Sequence, residues 1–329
     1  MPDPTNAPAR ADTRMGTPTA APRALDWVML AILGVIWGGA FMATKIATAD
    51  FGAFAIAGLR LGVAAAASLL FLTLGGERLP GPATPQDRRF WAFAIAVGAI
   101  SNAIPFTLLG WAQVHIDSAL AGVIMATVPF FVLPLGHLFI AGEVMSWRKT
   151  AGFALGFCGI LVLIGPGVLL DIGTGAHLAL LAQLACLTVA VCYATGSIVS
   201  KSAPQHRGLL PFATAALGAA AVMTLPVALL AGDQFAPAPS WSSIAAILYL
   251  GLGPTAIATV MLLAVIRSAG PGFLALVNYQ VPLWAVVFGV TFLSETPSPS
   301  LALALVLIVL GLAVAQGVLG LRRGGHARG

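Results

Sequence analysis

Few side chains in this sequence could engage a polar solute, and most of them stand inside long apolar runs. Asn278, Tyr279 and Gln280 are consecutive, just ahead of Pro282, and form the most polar stretch within any such run. Trp37, Asn102 and Tyr193 are further polar or amphipathic groups near the middle of one. Their chemistry is recognition, not bond making. Asn278 and Gln280 offer hydrogen bonds to an amino-acid-like or amide solute, while Trp37, Tyr193 and Tyr279 offer apolar or cation-attracting ring faces. Consecutive helical residues point about 100° apart, so at most two of the three at 278–280 can face one cavity. Hydrogen bonding between helices, worth roughly 0.6 kcal/mol per group, is the alternative use of these side chains, and the sequence leaves both uses open. These six residues are the candidate substrate-binding set.

Arg60 is a charge inside an apolar run, expensive unless paired or near water. It lies about six residues from the end of its run, so its stem can snorkel to the surface. It is a candidate gate or anion-attracting group; an ion pair with Asp50 or Asp117 is the structural reading and the favoured one. Lys45, near the end of its run, is expected to be solvated, and His137 to be a satisfied structural histidine. Pro129 and Pro282 interrupt two runs. In hydrocarbon such breaks are tolerated where neighbours or a water-filled cavity satisfy the freed carbonyls. Matched breaks in two halves of a chain point to a midplane site; kinking for packing is the alternative. Pro105 and Pro254 form a looser pair.

The elements that must position these groups follow from composition. Of 329 residues, 59% are hydrophobic and 8% charged, and mean hydropathy is +0.97. Soluble domains average about 45–50% apolar and about 25% charged, so the chain is expected to partner with a lipid bilayer. Ten runs are long enough to span it: 27–46, 54–74, 90–111, 119–140, 150–166, 176–200, 209–231, 243–265, 273–293 and 300–319. They are continuously apolar, whereas a membrane strand alternates over about ten residues; the fold class is therefore an all-α integral membrane protein. The Pro-rich head, 1–24, is expected to be a disordered tail, and 321–329 a basic one. Cys158, Cys186 and Cys192 lack metal-ligand spacing and read as small apolar residues.

Charge placement sets an orientation. With the amino terminus inside, fourteen of the sixteen Lys and Arg residues fall in the tails and loops of one side; the excess expected of cytoplasmic segments puts both termini in the cytoplasm. It also explains the net charge of +5 without a nucleic-acid partner. The chain repeats internally. Trp37 to Lys45 aligns with Tyr193 to Lys201, Val128-Pro129 with Val281-Pro282, Gly142-Glu143 with Ser294-Glu295, and Gly159 with Gly311, all separated by about 152 to 156 residues. The units are 25–168 and 169–320, each of five helices. Because five is odd, the second is inverted, the plan of many secondary transporters.

These residues resemble a known family, the ten-helix EamA-type members of the drug/metabolite transporter superfamily. The resemblance covers both halves and rests on Trp37-Gly38, Arg60, Pro129, Gly142-Glu143, Gly152 and Gly159, with Pro282, Glu295 and Gly311 repeating part of it. Two departures stand out: Gln113 occupies a position usually apolar in the family, and Leu217-Gly218 stands where the first half has Leu59-Arg60. The resemblance implies alternating access in a bacterial inner membrane, with export of amino acids or related metabolites. No phosphate loop for ATP and no H-E-x-x-H metal motif occurs, so no cofactor and no metal are expected. No carboxylate lies near mid-span, unlike the small multidrug-resistance relatives, which exchange protons through one. Facilitated movement or coupling through another group is therefore expected. An integral-membrane enzyme acting on a lipid or metabolite is the alternative, with no catalytic residue identified. The oligomeric state is open.

Overall fold

A computed structural model describes residues 22–140, 144–164, 176–204, 206–232 and 234–317. Gly142, Glu143, Asp171, Asp233, most of the head and the basic tail lie outside the described residues. Within them, ten helices are long and apolar enough to cross a membrane: α1 Ala24–Ala47, α2 Ala53–Leu74, α3 Pro85–His115, α4 Ser118–Phe139, α5 Trp147–Ile164, α6 His177–Lys201, α7 Leu209–Leu230, α8 Trp241–Gly270, α9 Gly272–Leu293 and α10 Pro299–Gln316. Each contains most of one apolar run. The largest departures are in α3 and α8, which extend several residues beyond theirs. Capping residues, not hydrophobicity, decide where these two helices begin. Thr84 accepts from the Asp87 amide ahead of α3, and Ser240 accepts from the Ser243 amide ahead of α8. Each such cap is worth about 1 kcal/mol.

Four helices are interrupted, in two corresponding pairs. α3 widens to a π turn at Ala99–Ala103 and α8 at Leu252–Ile257. α4 breaks at Ala126 and Thr127, and α9 at Ala275 and Leu276. Pro129 is the second residue after the α4 break. Pro282 is not at the α9 break: it lies inside the helical segment Val277–Leu293, six residues further on. The α9 break is mended locally, by bonds from the Asn278 amide to Ala275 O and from the Tyr279 amide to Leu276 O, both 3.2 Å.

The two halves pack as an exchange-related pair. α2 packs on α7, α5 on α10, and α4 on α9. α1 packs on α9 and α8, while its counterpart α6 packs on α4 and α3, so exchanging halves carries the principal contacts into one another. With five helices per half, corresponding helices run in opposite directions. Glycines permit the tightest crossings. A methyl group at Gly152 would meet the carbonyl oxygen of Gly311 on α10, and one at Gly38 would meet the Trp284 side chain on α9. Close backbone approach of this kind is how helices gain contact where lipid supplies no hydrophobic drive. Cys186 belongs to the central core, whereas Cys158 is exposed on the outer surface.

Candidate substrate-binding site

A cavity of about 350 Å³ lies between the halves. Every helix except α5 and α10 contributes to it: Trp37, Phe41 and Thr44 from α1, Arg60 from α2, Ser101, Asn102, Phe106 and Gln113 from α3, Met125 and Val128 from α4, Tyr193 from α6, Leu217 from α7, Pro254, Thr255 and Thr259 from α8, and Asn278, Val281 and Pro282 from α9. Trp37 and Tyr193 occupy matched positions of the repeat, as do Val128 and Val281. A cavity bordered by both members of matched pairs sits where the two halves meet, and the helix interruptions border it too.

Those interruptions are satisfied by the cavity's own side chains. Pro254 has no N–H for the carbonyl of Leu250, and the hydroxyl of Thr255 donates to that oxygen instead, at 2.7 Å. The Trp37 indole N–H donates to the carbonyl oxygen of Pro254 at 3.0 Å. Thr259 donates to Thr255 O at 2.5 Å. Asn278 Nδ2 donates to Ala275 O at 3.0 Å, so its amide braces the α9 break while bordering the cavity. Broken backbone within a membrane is thus paired by protein groups, as hydrocarbon requires.

Arg60 is 7% exposed. Its Nε donates to Thr255 Oγ1 at 2.9 Å, and its guanidinium carbon lies 3.7 Å from the centre of the Phe106 ring, a cation–π contact worth about 0.5–2 kcal/mol. Arg60 makes no ion pair with Asp50 or Asp117 among the described residues, contrary to the sequence expectation. Asp50 instead accepts from the amide and hydroxyl of Ser240. The reason is rotational: α2 turns Arg60 toward α8 and the cavity, away from the loops carrying those acids.

The structure brings together Trp37, Asn102, Tyr193, Asn278, Arg60 and Pro282, but not all the expected set. Tyr279 turns outward and its hydroxyl donates to Gln316 Oε1 of α10 at 3.1 Å. Gln280 packs against Gly34 of α1. Neither borders the cavity, and Pro129 does not either. The helical step explains this: Asn278, Val281 and Pro282 share a face, from which 279 and 280 rotate away.

Several lining residues were not expected from sequence. Thr44, Ser101, Thr255 and Thr259 are small hydroxyls that carry little hydropathy signal. Gln113 had one available signal, a polar residue at a usually apolar position. It is 0% exposed, it borders the cavity, and neither its Oε1 nor its Nε2 has a hydrogen-bond partner among the described residues. Lys45, expected in solvent, donates to the carbonyls of Gln113 at 2.6 Å and Ile116 at 3.0 Å. A cation is favoured there by the unpaired carbonyls at the α3 carboxyl end.

Contacts between the halves are made at both ends of the bundle. At the arginine-poor end, Gly52 N donates to Gln234 O, and the Glu295 carboxylate accepts from the amides of Ser118 at 2.7 Å and Ala119 at 3.0 Å. The left-handed Ser294, φ 56°, turns the chain so that Glu295 reaches the α4 amino terminus. At the arginine-rich end, Asp87 accepts from Arg207 Nε at 3.0 Å and from Thr84 at 2.7 Å. The α1–α2 loop thus docks at the cap of α8, and the α6–α7 loop at the cap of α3. These are corresponding contacts at opposite ends.

The chain matches the model of the EamA-like transporter family twice, over residues 25–165 and 180–316. It is 29% identical over 268 residues to the uncharacterized inner membrane transporter YedA of Escherichia coli (strain K12), covering 81% of this chain and 82% of that one. It is 31% identical over 268 residues to a probable terminal-alkyne amino-acid exporter of Streptantibioticus cattleyicolor, covering 82% and 85%. A probable amino-acid metabolite efflux pump of Escherichia coli (strain K12) is 25% identical over 181 residues, 55% of each chain. One solved crystal structure shares the fold, with a TM-score of 0.60 at 22% identity, covering 89% of this chain and 98% of its own. The family is one of transporters, which sets aside the membrane-enzyme alternative. Two tandem matches spanning the ten helices, with a cavity between the halves they define, place this multi-pass membrane protein in the EamA-like transporter family.

Proposed function

We propose that the protein exports small metabolites of the amino-acid class across the bacterial inner membrane by alternating access. The observation that carries this reading is the cavity of about 350 Å³ shared by both halves at the level of their interrupted helices. Its size falls in the range of small-molecule sites, about 300–1,000 Å³. The units 25–168 and 169–320 rock about it, breaking the end contacts of one side while those of the other hold. Trp37, Asn102, Tyr193 and Asn278 contact the solute, Arg60 and Gln113 add polar anchors, and Tyr279 and Gln280 support the bound face of α9 from behind. Export of amino-acid metabolites is supported by the two relatives named as exporters or efflux pumps of that class. Both termini face the cytoplasm, supported by the one-sided Lys and Arg. Transport is driven by a solute gradient or by coupling that uses no cavity carboxylate, since no acidic side chain among the described residues borders the cavity.

The test is a counterflow screen of labelled amino acids, sugars, purines and cationic drugs in liposomes containing the purified protein. Accumulation of an amino-acid-class solute is expected. Accumulation only of another class overturns the substrate assignment, and strict dependence on an imposed proton gradient overturns gradient-only movement.

A further inference from the structure

The cavity wall is electrically one-sided. Arg60 is the only charged side chain among the described residues that border it. An arginine guanidinium stays protonated and carries five N–H donors. Only Nε is used by a protein acceptor, Thr255 Oγ1, among the described residues. One face of the group is covered by Phe106, which leaves the terminal nitrogens as the donors available for an in-plane acceptor. A buried charge held by one neutral hydroxyl and one ring lacks the paired anion such a charge normally has. The chain contains eleven Asp and Glu residues, yet none of those described is placed against it. That is the arrangement expected if the counter-ion arrives with the substrate.

A second polar group stands along the same wall. Asn102, Phe106, Leu109 and Gln113 border the cavity from one face of α3. Gln113 lies seven residues beyond the Phe106 ring that covers Arg60, a rise of about 10 Å at 1.5 Å per residue. Its fully buried amide has no partner on either atom among the described residues, an arrangement that native interiors rarely leave unanswered. Phe41, Phe106 and Leu109 add apolar lining to the same cavity.

We infer that the cavity recognises an amphipathic monoanion, its carboxylate held by the terminal nitrogens of Arg60 and a neutral hydrogen-bonding group directed along the α3 wall toward Gln113. This rests on the cavity being the transport site. A carboxylate is preferred to a phosphate monoester because one guanidinium neutralises one charge, whereas the monoester carries about −1.5 to −2 at pH 7. The same guanidinium disfavours cationic drugs by like-charge repulsion.

The experiment uses a matched pair of probes, N-acetyl-L-leucine and its neutral amide N-acetyl-L-leucinamide, with phosphate monoesters represented by phenyl phosphate. Binding to the full-length protein in detergent is measured by calorimetry, and flux of the labelled probes in proteoliposomes. The carboxylate is expected to bind at least ten-fold more tightly than the amide and than phenyl phosphate. Arg60→Gln should bring the carboxylate-to-amide ratio close to one, and Arg60→Lys should retain part of the preference. Equal binding of the pair by the wild-type protein, no binding of either, or a preference that survives Arg60→Gln overturns the inference. Tighter binding of phenyl phosphate overturns the carboxylate assignment. Because the wild-type ratio decides by itself, an Arg60→Gln protein that fails to fold does not shelter the idea. Selective binding without flux of any solute in the counterflow screen would leave this inference standing and remove the transport reading. Flux with no carboxylate preference does the reverse.

Discussion

The indole N–H of Trp37 donates to the carbonyl oxygen of Pro254 at 3.0 Å, joining the first helix of one half to the π turn of the other. The bond reaches a carbonyl within a helix already interrupted by a proline, and does so with a side chain that also borders the cavity. Support of the broken backbone and lining of the site are therefore carried by the same residue.

Replacing that indole tests the dual role. Trp37→Phe keeps an aromatic face but removes the donor, so the Pro254 carbonyl loses its bond to the indole. A stability loss of about 0.5–1.5 kcal/mol is expected for the lost hydrogen bond. It should be read as a lower melting temperature in detergent, with transport reduced as well. An unchanged melting temperature would mean that water or another donor takes the place of the indole.

Asn278 gives a sharper separation of binding from packing. Asn278→Ala should lower transport severalfold while membrane abundance stays near that of the wild type, because the lost bond to Ala275 O is a short-range one within α9. Parallel loss of abundance and flux, measured by quantitative blotting and counterflow on the same membranes, would assign the residue to packing alone. Gln280→Leu is the companion variant: Gln280 faces α1 and does not border the cavity, so solute selectivity should be unaltered.

The contact between Asp50 and Ser240 predicts a pH dependence. Hydrogen bonds from the Ser240 side chain, then Ser243 and the Ser240 amide, lower the Asp50 pKa below its ordinary value of 3.8. The unfolded chain then binds the proton more readily than the folded one. The stabilisation is accordingly present above about pH 4 and is lost as pH falls through the depressed folded value. The stability difference between wild type and Asp50→Asn, followed by thermal unfolding from pH 7 to pH 3, should shrink in that acidic window. A difference that stays constant down to pH 3 would show that the carboxylate's charge is not what matters.

At the α5–α10 crossing, Gly152→Val should sharply lower abundance, since even one methyl would meet the Gly311 carbonyl. Overpacking of this kind costs typically about 1–3 kcal/mol. The check is the yield of monodisperse protein after detergent extraction. Gly81→Val, in a loop where an added methyl meets nothing within 4 Å, is the control expected to behave as wild type.

Membrane residence, ten helices, the duplicated halves and their opposed directions follow from the sequence alone, because each depends on one-dimensional quantities: the length of apolar runs, the spacing of matched residues and the odd number of spans per unit. Trp37, Asn102, Tyr193 and Asn278 were legible as site candidates for the same reason, being polar or amphipathic near mid-run. What the tertiary structure decided is rotation and partnership. Whether Asn278 or Gln280 meets the cavity depends on how α9 is turned after its break at Ala275 and Leu276, and hydropathy has no memory of that angle. Arg60 could pair with an acid or face a cavity on sequence grounds; the packing of α2 against α8 gave it Thr255 and the cavity. Gln113 was visible only as an odd polar letter near a helix end. Its burial without a partner comes from eight helices closing around one space, a fact that no single segment of the chain contains.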